Sequence, residues 1–210
     1  MEPNGVQYAE SLQGVQGNGV PMNEGQSQAK PKGSFLRSLL SVVLTIAAIV
    51  AASYLLRTFV FQSYEIPSAS MEETIMTGDL VIGEKVSYHF SEPQAGQIVT
   101  FDDPEIPSRT LIKRVIATEG QTINLVDGSV YIDGERQFES YTDGKPSYPL
   151  ANSIANITYP YTVPSGHVWV MGDNRTNSQD SRYFGAIPVT SVSSRAAVIY
   201  WPIDNFRVLE

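Results

Sequence analysis

One serine of this chain, Ser70, stands in a setting that suits a catalytic nucleophile. It lies near the centre of the stretch Tyr64–Asp79, in the segment Ser68-Ala69-Ser70-Met71, shortly after a long apolar run has ended. A serine hydroxyl is a weak nucleophile at neutral pH and needs a base within hydrogen-bond reach, usually a histidine that a carboxylate orients. The chemistry predicted for Ser70 therefore depends on which other residue can take its proton.

Histidine and cysteine chemistry both fit this chain poorly. The sequence has two histidines: His89 lies in a Tyr-His-Phe segment typical of a strand end, and His167 opens the run His167–Met171. Neither is framed as a base, so packing or surface roles are favoured for both. There is no cysteine, which excludes a thiolate nucleophile and a thiolate metal site. Two histidines without ligand-type spacing also argue against zinc, and no metal or cofactor is expected.

Lysine remains, and the candidate base is Lys113. A lysine can act as a base near neutral pH only if burial lowers its pKa by several units. Lys113 lies in the strand-like run Leu111–Ala117, where alternation places it on the same face as Leu111, Val115 and Ala117. A lysine on an apolar face is costly without a purpose. The strand alone leaves an alternative open, a side chain that extends its charged head into water.

A third polar segment follows the strand-like run His167–Met171. It contains Gly172-Asp173-Asn174-Arg175 and then Ser178, Asp180, Ser181 and Arg182. Solvated loops can have this composition. The alternative interpretation is an ion-pair network, Asp173 and Asp180 against Arg175 and Arg182, that fixes the backbone of an active-site wall.

The N-terminal part of the chain predicts a tail and a membrane anchor. Residues 1–33 are rich in Gly, Gln, Asn and Ser and are expected to be a disordered cytoplasmic tail. Leu39–Leu56 is a run of eighteen uncharged residues, which as a helix spans roughly 27 Å, close to the thickness of a bilayer core. We expect a single transmembrane helix over residues 34–60. A cleaved signal peptide is the less favoured alternative, because the apolar run is preceded by a long polar tail.

Charge around the apolar run predicts its orientation. Lys30, Lys32 and Arg37 precede it and only Arg57 closely follows it, so the N-terminus is expected in the cytoplasm. Residues 61–210 are then an extracytoplasmic catalytic β domain. They carry ten Lys and Arg against nineteen Asp and Glu, an acidic balance that argues against nucleic acid as a partner.

The exported part is predicted to be mainly β. Short β-branched or aromatic runs alternate with Gly, Pro, Asn and Asp, and Asp133-Gly134 predicts a tight hairpin turn. A folded-over antiparallel β-sheet or barrel-like domain is the expected architecture. The predicted strands are Leu80–Ile82, Ile98–Phe101, Leu111–Ala117, Thr122–Val126, Val130–Ile132, Tyr161–Val163, His167–Met171 and Ala196–Trp201. Residues 137–160 lack this pattern and are interpreted as an insertion or long loop without an assigned role.

Three segments in this order resemble the bacterial type I signal peptidases, also called leader peptidases. They are Ser68-Ala69-Ser70-Met71, Lys113-Arg114-Val115-Ile116 and the segment from Gly172 to Arg182, all behind one membrane span. The resemblance covers residues from about Arg57 to the C-terminus. It implies a folded-over antiparallel β catalytic domain and a serine endopeptidase that works with a Ser-Lys dyad.

The resemblance also implies a role for individual residues. Ser70 would be the nucleophile and Lys113 the general base, which agrees with the elimination of histidine. The Ser70 amide and the Ser68 hydroxyl would form the oxyanion hole, and Ser178 would orient the Lys113 amine. Site geometry would be stabilised by Asp173, Asn174, Arg175, Asp180 and Arg182. Candidate walls for substrate binding are Tyr64, Glu65, Ile66, Pro67, Val81 and Ile82.

The implied substrates are the signal peptides of exported preproteins, cleaved after an Ala-x-Ala-like pattern through an acyl-enzyme. The enzyme would be a monomer in the plasma (inner) membrane, in contact with the lipid bilayer. The chain departs from the family pattern at Glu73, at Gln97 and at Glu119-Gly120-Gln121, positions that supply no group to this mechanism.

Other functions are weighed against this one. A self-cleaving Ser-Lys repressor would need a DNA-binding domain, which the span and the acidic charge oppose. A non-catalytic, membrane-anchored binding module would be expected to lack Ser70, Lys113 or Ser178, and all three are present. A homologue dedicated to one surface-protein or fibre-subunit substrate stays open.

Overall fold

The computed structural model describes residues 32–209 of the chain. The predicted tail therefore lies almost entirely outside the described residues. The first element is helix α1 (Lys32–Phe59), whose segment Phe35–Phe59 has a mean hydropathy of 2.5 and no buried residues in its apolar window. Its length and composition are sufficient for crossing a membrane. The backbone divides into two compact units after Thr45, within this helix.

Twelve β-strands and one further short α-helix follow α1 in the described residues. All strand pairings are antiparallel, and they form one sheet of eight strands and one of four. The bounds are β1 (Phe61–Glu65), β2 (Leu80–Glu84), β3 (Ile98–Asp102), β4 (Thr110–Thr118), β5 (Thr122–Val126), β6 (Ser129–Ile132), β7 (Glu135–Arg136), β8 (Tyr161–Thr162), β9 (His167–Met171), α2 (Ser181–Phe184), β10 (Ile187–Pro188), β11 (Val192–Trp201) and β12 (Arg207–Val208).

The larger sheet carries the residues of interest. Its strand order is β1-β2-β11-β3-β4-β9-β10, with β12 paired to β11, and the smaller sheet has the order β7-β6-β5-β8. Strand β4 is central in the larger sheet and leads through a turn into β5 of the smaller one. The prediction of a mainly β, folded-over antiparallel domain after one apolar helix is confirmed. All eight predicted strands occur, and Asp133-Gly134 makes the β6–β7 hairpin with positive φ at both residues.

Three apolar clusters hold the sheets together, and their members come from different strands. The first contains Met71 and Ile75 from the segment after β1 together with Val81 of β2 and Ile199 of β11. It thereby fixes the segment that carries Ser70 onto the larger sheet. The second fills the space around Trp169 and the smaller sheet, and the third packs around Phe101.

The contact between β2 and β11 leaves no room for a side chain at Gly83. A Cβ at this position would lie 2.2 Å from Ser194 Oγ and 2.8 Å from the Tyr64 ring. Ser194 Oγ is itself held by a hydrogen bond of 2.6 Å to Thr100 Oγ1, and Tyr64 OH lies 3.2 Å from both hydroxyls. This buried hydroxyl cluster joins β1, β3 and β11.

We expect Gly83→Ala to destabilise the fold by about 1 to 3 kcal/mol, because overpacking forces well-ordered neighbours to move. The same substitution in a Ser194→Ala background should be less destabilising, since the nearest clashing atom is then absent. Thermal unfolding of the full chain in detergent measures the double-mutant cycle. Equal destabilisation in both backgrounds would contradict this account of Gly83.

Candidate active site

The segment around Ser70 is a single 3-10 turn, Ala69–Met71, anchored at both ends. Met71 is completely buried in the first apolar cluster, and its carbonyl accepts a hydrogen bond of 2.8 Å from the Ile75 amide. On the other side, the Asn174 amide donates to the Ser70 carbonyl at 3.1 Å and its side chain donates to the Ala69 carbonyl at 2.9 Å. The Ser70 backbone is therefore fixed, and only 8% of the residue is exposed.

The side chain of Lys113, on strand β4, contacts the Ser70 side chain. It lies in the middle of β4, is 3% exposed, and its Nζ is 2.7 Å from Ser70 Oγ and 2.8 Å from the Ile112 carbonyl oxygen. A hydroxyl and an amine at this distance can exchange a proton directly. The alternative of a lysine with its head in water is wrong, because the amine is buried.

The predicted alternation along β4 holds only in part. Leu111 and Val115 share the third apolar cluster, as expected for residues on one face. Ala117 instead belongs to the second cluster, because the pairing of β4 with β9 shifts register between Val115 and Ala117. The irregularity lies beyond Lys113 and leaves the direction of its side chain unchanged.

Burial dominates the electrostatics of the amine. It lowers the pKa of Lys113 from 10.5 to about 8, against the opposing effect of the carboxylates of Asp180 and Asp173. A buried amine loses hydration that favours the charged form, and this is how lysine becomes a base near neutral pH. A fraction of Lys113 is neutral at physiological pH.

The loop after β9 forms one wall of this site. Asp173 accepts two hydrogen bonds from Arg114, from Nε at 2.9 Å and Nη2 at 2.8 Å, and Arg114 directly follows Lys113 in β4. Asp180 accepts from the Gly172 amide at 3.0 Å and from Arg182 Nε and Nη2, both at 2.9 Å. Burial opposes ionisation of Asp180, but the Arg182 guanidinium and these hydrogen bonds hold its pKa below the ordinary value.

The sequence predicted that Asp173 and Asp180 pair with Arg175 and Arg182, and only one of these pairs occurs inside the loop. Arg182 pairs with Asp180 inside the loop, whereas Asp173 pairs with Arg114 of β4 and Arg175 pairs with Glu139 of the insertion. The wall is therefore tied to two other segments. Sequence reasoning missed Glu139 as a member of the site, because no local pattern relates it to Arg175, 36 residues further along the chain.

Ser178 lies behind the turn that carries Ser70. A Cβ at Gly172 would lie 2.3 Å from Ser178 Oγ and 2.4 Å from the Ser70 carbonyl oxygen, so both atoms pack against the same glycine. In this structure Lys113 Nζ has Ser70 Oγ and the Ile112 carbonyl as its hydrogen-bond partners. Ser178 is thus near Ser70, without an observed hydrogen bond to the Lys113 amine.

A cavity of about 430 Å³ opens beside Ser70 and Lys113. Ser68 lines it, together with a charged edge formed by the ion pair of Asp103 and Arg109 and by Glu105. Hydrogen bonds from Arg109 and from two backbone amides hold the pKa of Asp103 below its ordinary value although burial opposes this. The other lining residues are Ala69, Leu111, Asn177, Gln179 and Phe184.

The six candidate wall residues occupy other positions. Ile66 and Val81 are buried in the first apolar cluster beside Met71, and the Tyr64 hydroxyl belongs to the cluster with Thr100 and Ser194. Glu65 and Pro67 are exposed, and Ile82 lines a separate cavity near Arg57. None of the six is among the residues that line the cavity at Ser70. The two histidines are also elsewhere: His89 is exposed, and His167 Nδ1 contacts the Ser165 carbonyl.

Comparison with known proteins gives a consistent result. The model of the family "Signal peptidase, peptidase S26" matches residues 39–201. The chain is 40% identical over 176 residues to a probable signal peptidase I-1 of Synechocystis sp., covering 80% of this chain and 85% of that protein. It is 34% identical to a signal peptidase I of Leptolyngbya laminosa, over 90% and 91% of the two chains. A crystal structure of a signal peptidase I from Enterococcus faecalis V583 matches 51% of this chain and 98% of its own, at 31% identity and a TM-score of 0.43.

The burial of Lys113 predicts a pH-dependent effect on stability. The unfolded chain binds a proton at this amine between pH 8 and 10.5 while the folded chain does not, so stability rises with pH across this window. Below pH 8 the buried charge destabilises the fold by roughly 3 kcal/mol. We expect Lys113→Met to stabilise the protein relative to wild type at pH 7, and this advantage to shrink as pH rises to 10.

Thermal unfolding of both proteins in detergent at pH 7 and pH 10 measures the difference. Lys145→Met is the matched control, because that lysine is on the surface in an ion pair with Glu73. A difference in melting temperature between Lys113→Met and wild type that stays constant with pH would show that the amine is not buried as described.

Proposed function

This chain belongs to the S26 signal peptidase family, and we propose that it removes signal peptides from exported preproteins with Ser70 as nucleophile and Lys113 as general base. Membership of the family makes it a serine endopeptidase that processes signal peptides. The observation that carries the assignment of the dyad is the contact of 2.7 Å between Ser70 Oγ and a buried Lys113 amine.

The proposed reaction is acyl transfer in two steps. Neutral Lys113 takes the hydroxyl proton of Ser70 as Oγ attacks the scissile carbonyl, and the protonated amine then delivers that proton to the leaving amine. The signal peptide is left as an ester on Ser70. Water then attacks the ester, Lys113 again takes the proton, and Ser70 Oγ leaves with a proton from the amine.

Two donors are proposed to stabilise the tetrahedral intermediates. The Ser70 amide and the Ser68 hydroxyl would bind the oxyanion, and Ser68 lines the same cavity as the dyad. Ser178 is proposed to orient the Lys113 amine once substrate has bound, since its hydroxyl is buried against Gly172 near Ser70. Removing one preorganised donor of an oxyanion hole commonly reduces turnover by about 100-fold to 1,000-fold.

The sheet edge beside the dyad suits an extended substrate. Strand β1 pairs with β2 on one side only and leads through residues 66–67 into Ser68. A signal peptide could add to this edge as a strand, which would bring Tyr64, Glu65, Ile66 and Pro67 next to it and align its scissile carbonyl with Ser70. Small residues before the scissile bond, in an Ala-x-Ala-like pattern, are the proposed preference. Val81 and Ile82 of the adjacent strand β2 are proposed to contribute to the wall behind β1.

The family and the apolar helix α1 together indicate a membrane-anchored protein. We propose a single pass through the plasma membrane with the N-terminus in the cytoplasm and the catalytic domain outside, working as a monomer. The basic residues Lys30, Lys32 and Arg37 before the apolar run support this orientation. Ser70 follows the end of α1 by only eleven residues, which restricts its distance from the bilayer.

The proposed dyad can be tested in a cleavage assay. The substrate is a preprotein that carries an Ala-x-Ala site, and the enzyme is the purified full-length chain in detergent. Wild type should cut after the last alanine. Ser70→Ala and Lys113→Ala should both lose at least about 1,000-fold in turnover, because each removes one half of a unit that acts together. Mass spectrometry of the products gives the site, and gel densitometry gives the rate.

Lys85→Ala serves as the control, since that lysine follows β2 and its amine contacts the Thr58 carbonyl near the end of α1, outside the residues that line the cavity at Ser70. Retention of most activity by Lys113→Ala would end the proposal of a lysine base. A wild-type enzyme that cuts one surface-protein precursor but none of several unrelated preproteins would instead favour a dedicated processing enzyme.

The pKa of the base predicts the pH profile of cleavage. Only neutral Lys113 can accept the Ser70 proton, so kcat/KM should fall about tenfold for each pH unit below an apparent pKa of about 8. Initial rates at low substrate concentration between pH 5.5 and 9.5 measure this limb. If kcat/KM kept rising about tenfold per pH unit up to pH 9.5, as for an exposed lysine with a pKa of about 10.4, a base activated by burial would be contradicted.

A further inference from the structure

The insertion at residues 137–160 reaches the back of the active-site wall with its polar groups. It connects β7 to β8 and has few residues in regular structure. Three of its side chains, Glu139, Tyr141 and Ser147, contact charged residues of the wall and of β4. Its backbone also binds α2, which follows the wall, since the Tyr183 carbonyl accepts from the Ile154 amide at 3.0 Å.

The central contact joins Glu139 to Arg175. The Arg175 residue is 1% exposed, and its Nη2 and Nη1 donate to Glu139 Oε1 at 2.6 Å and to Oε2 at 2.7 Å. Nη1 also donates to Ser147 Oγ at 2.5 Å. A buried guanidinium is strongly destabilising without a paired anion, so the position of Arg175 depends on Glu139. The pair favours the charged form of Arg175 against its burial, and the pKa of Arg175 is raised.

Arg175 is connected to Ser70 through two residues of the wall, Gly172 and Asn174. Its Nε donates to the Gly172 carbonyl at 3.0 Å and so closes the tight loop Gly172–Arg175. Asn174, inside this loop, donates its amide to the Ser70 carbonyl at 3.1 Å. The loop that Arg175 closes is therefore the one that holds the Ser70 turn.

Glu139 also reaches the strand of the base. The Tyr141 hydroxyl donates to Glu139 Oε1 at 2.9 Å, and the ring of Tyr141 lies 4.1 Å from the guanidinium carbon of Arg114. A guanidinium over an aromatic face at this distance is attracted by the ring. Arg114 follows Lys113 and pairs with Asp173, so Glu139 is linked through Tyr141 to the strand of Lys113 as well as through Arg175 to the loop at Ser70.

We propose that Glu139 is a positioning residue of the active site: its carboxylate fixes Arg175 and, through Asn174, the orientation of Ser70 toward Lys113. The inference rests on the proposed function of the dyad. It gives the insertion a role in turnover: the insertion supports the wall from behind and does not itself contact substrate.

The test compares Glu139→Gln and Glu139→Ala with wild type in the preprotein cleavage assay, with full-length enzyme in detergent. Glu139→Gln preserves the volume but removes the charge and one of the two acceptors facing Arg175. We expect kcat to fall about tenfold or more with KM within about twofold, because the misplacement affects the reacting atoms and leaves the binding surface intact. Glu139→Asp, which restores the charge at shorter reach, should recover part of the lost kcat.

The control is Ile123→Ala, a buried residue of β5 in the second apolar cluster. It should lower the melting temperature by at least as much as Glu139→Gln while leaving kcat unchanged at a temperature well below unfolding. A Glu139→Gln enzyme that is folded and keeps wild-type kcat would overturn the proposal. Failure of both Glu139→Gln and Glu139→Ala to fold would overturn it too, since the residue would then be a stability element.

A second measurement separates this inference from the proposed function. Hydrogen exchange of the Asn174 amide, which donates to the Ser70 carbonyl, needs no turnover. We expect it to quicken about tenfold in Glu139→Gln, while the amides of β3 keep wild-type rates. If wild type cleaves no preprotein, the proposed function fails, and unchanged exchange at Asn174 would still independently overturn the coupling from Glu139 to Ser70.

Discussion

The burial of one amine is the constraint on which the rest of this structure depends. In its proposed role as a base, Lys113 is effective only while its ammonium form is poorly solvated, yet burying an ammonium group works against folding. The nearest carboxylates, Asp173 and Asp180, pull the pKa of Lys113 upward again. Each of them is paired with an arginine, Arg114 and Arg182 respectively. Burial outweighs the effect of these carboxylates, so the pKa of Lys113 stays lowered, at about 8.

The same ion pairs bring together segments that are remote in the sequence. Asp173 connects the wall after β9 to β4, and it also accepts a hydrogen bond of 2.5 Å from Thr74, just after the Ser70 turn. Arg175 connects the wall to the insertion through Glu139. Polar pairs that are buried and fully hydrogen-bonded specify one arrangement, because every alternative leaves a charge without a partner. The wall is therefore both an electrostatic element and the part that fixes the distance between Ser70 and Lys113.

Sequence reasoning could predict the contact between Ser70 and Lys113 because it rests on local patterns and on the elimination of other bases. The absence of cysteine and the poor setting of both histidines leave lysine, and the pattern of β4 makes Lys113 the candidate while leaving a solvated side chain open. Alternation and turn residues were also sufficient for eight of the twelve strands in the described residues. The others lack a distinct pattern, since β1 reads Phe-Gln-Ser-Tyr-Glu and β7, β10 and β12 have two residues each. The partners of Asp173 and Arg175 were beyond reach, since pairing over 36 or 59 residues leaves no periodic signal.

The proposed lysine base would also account for the size of the supporting wall. A histidine base requires a carboxylate to choose its tautomer and hold its ring, whereas an amine has neither and is activated mainly by loss of water. Its activity then depends on the residues that exclude water and fix its chain, and none of these has to touch the substrate. Loosening the wall would hydrate the amine, raise its pKa and move Ser70 at once. Changes remote from the cavity, in the insertion or in the arginine pairs, are therefore expected to act on turnover through the same two atoms, Ser70 Oγ and Lys113 Nζ.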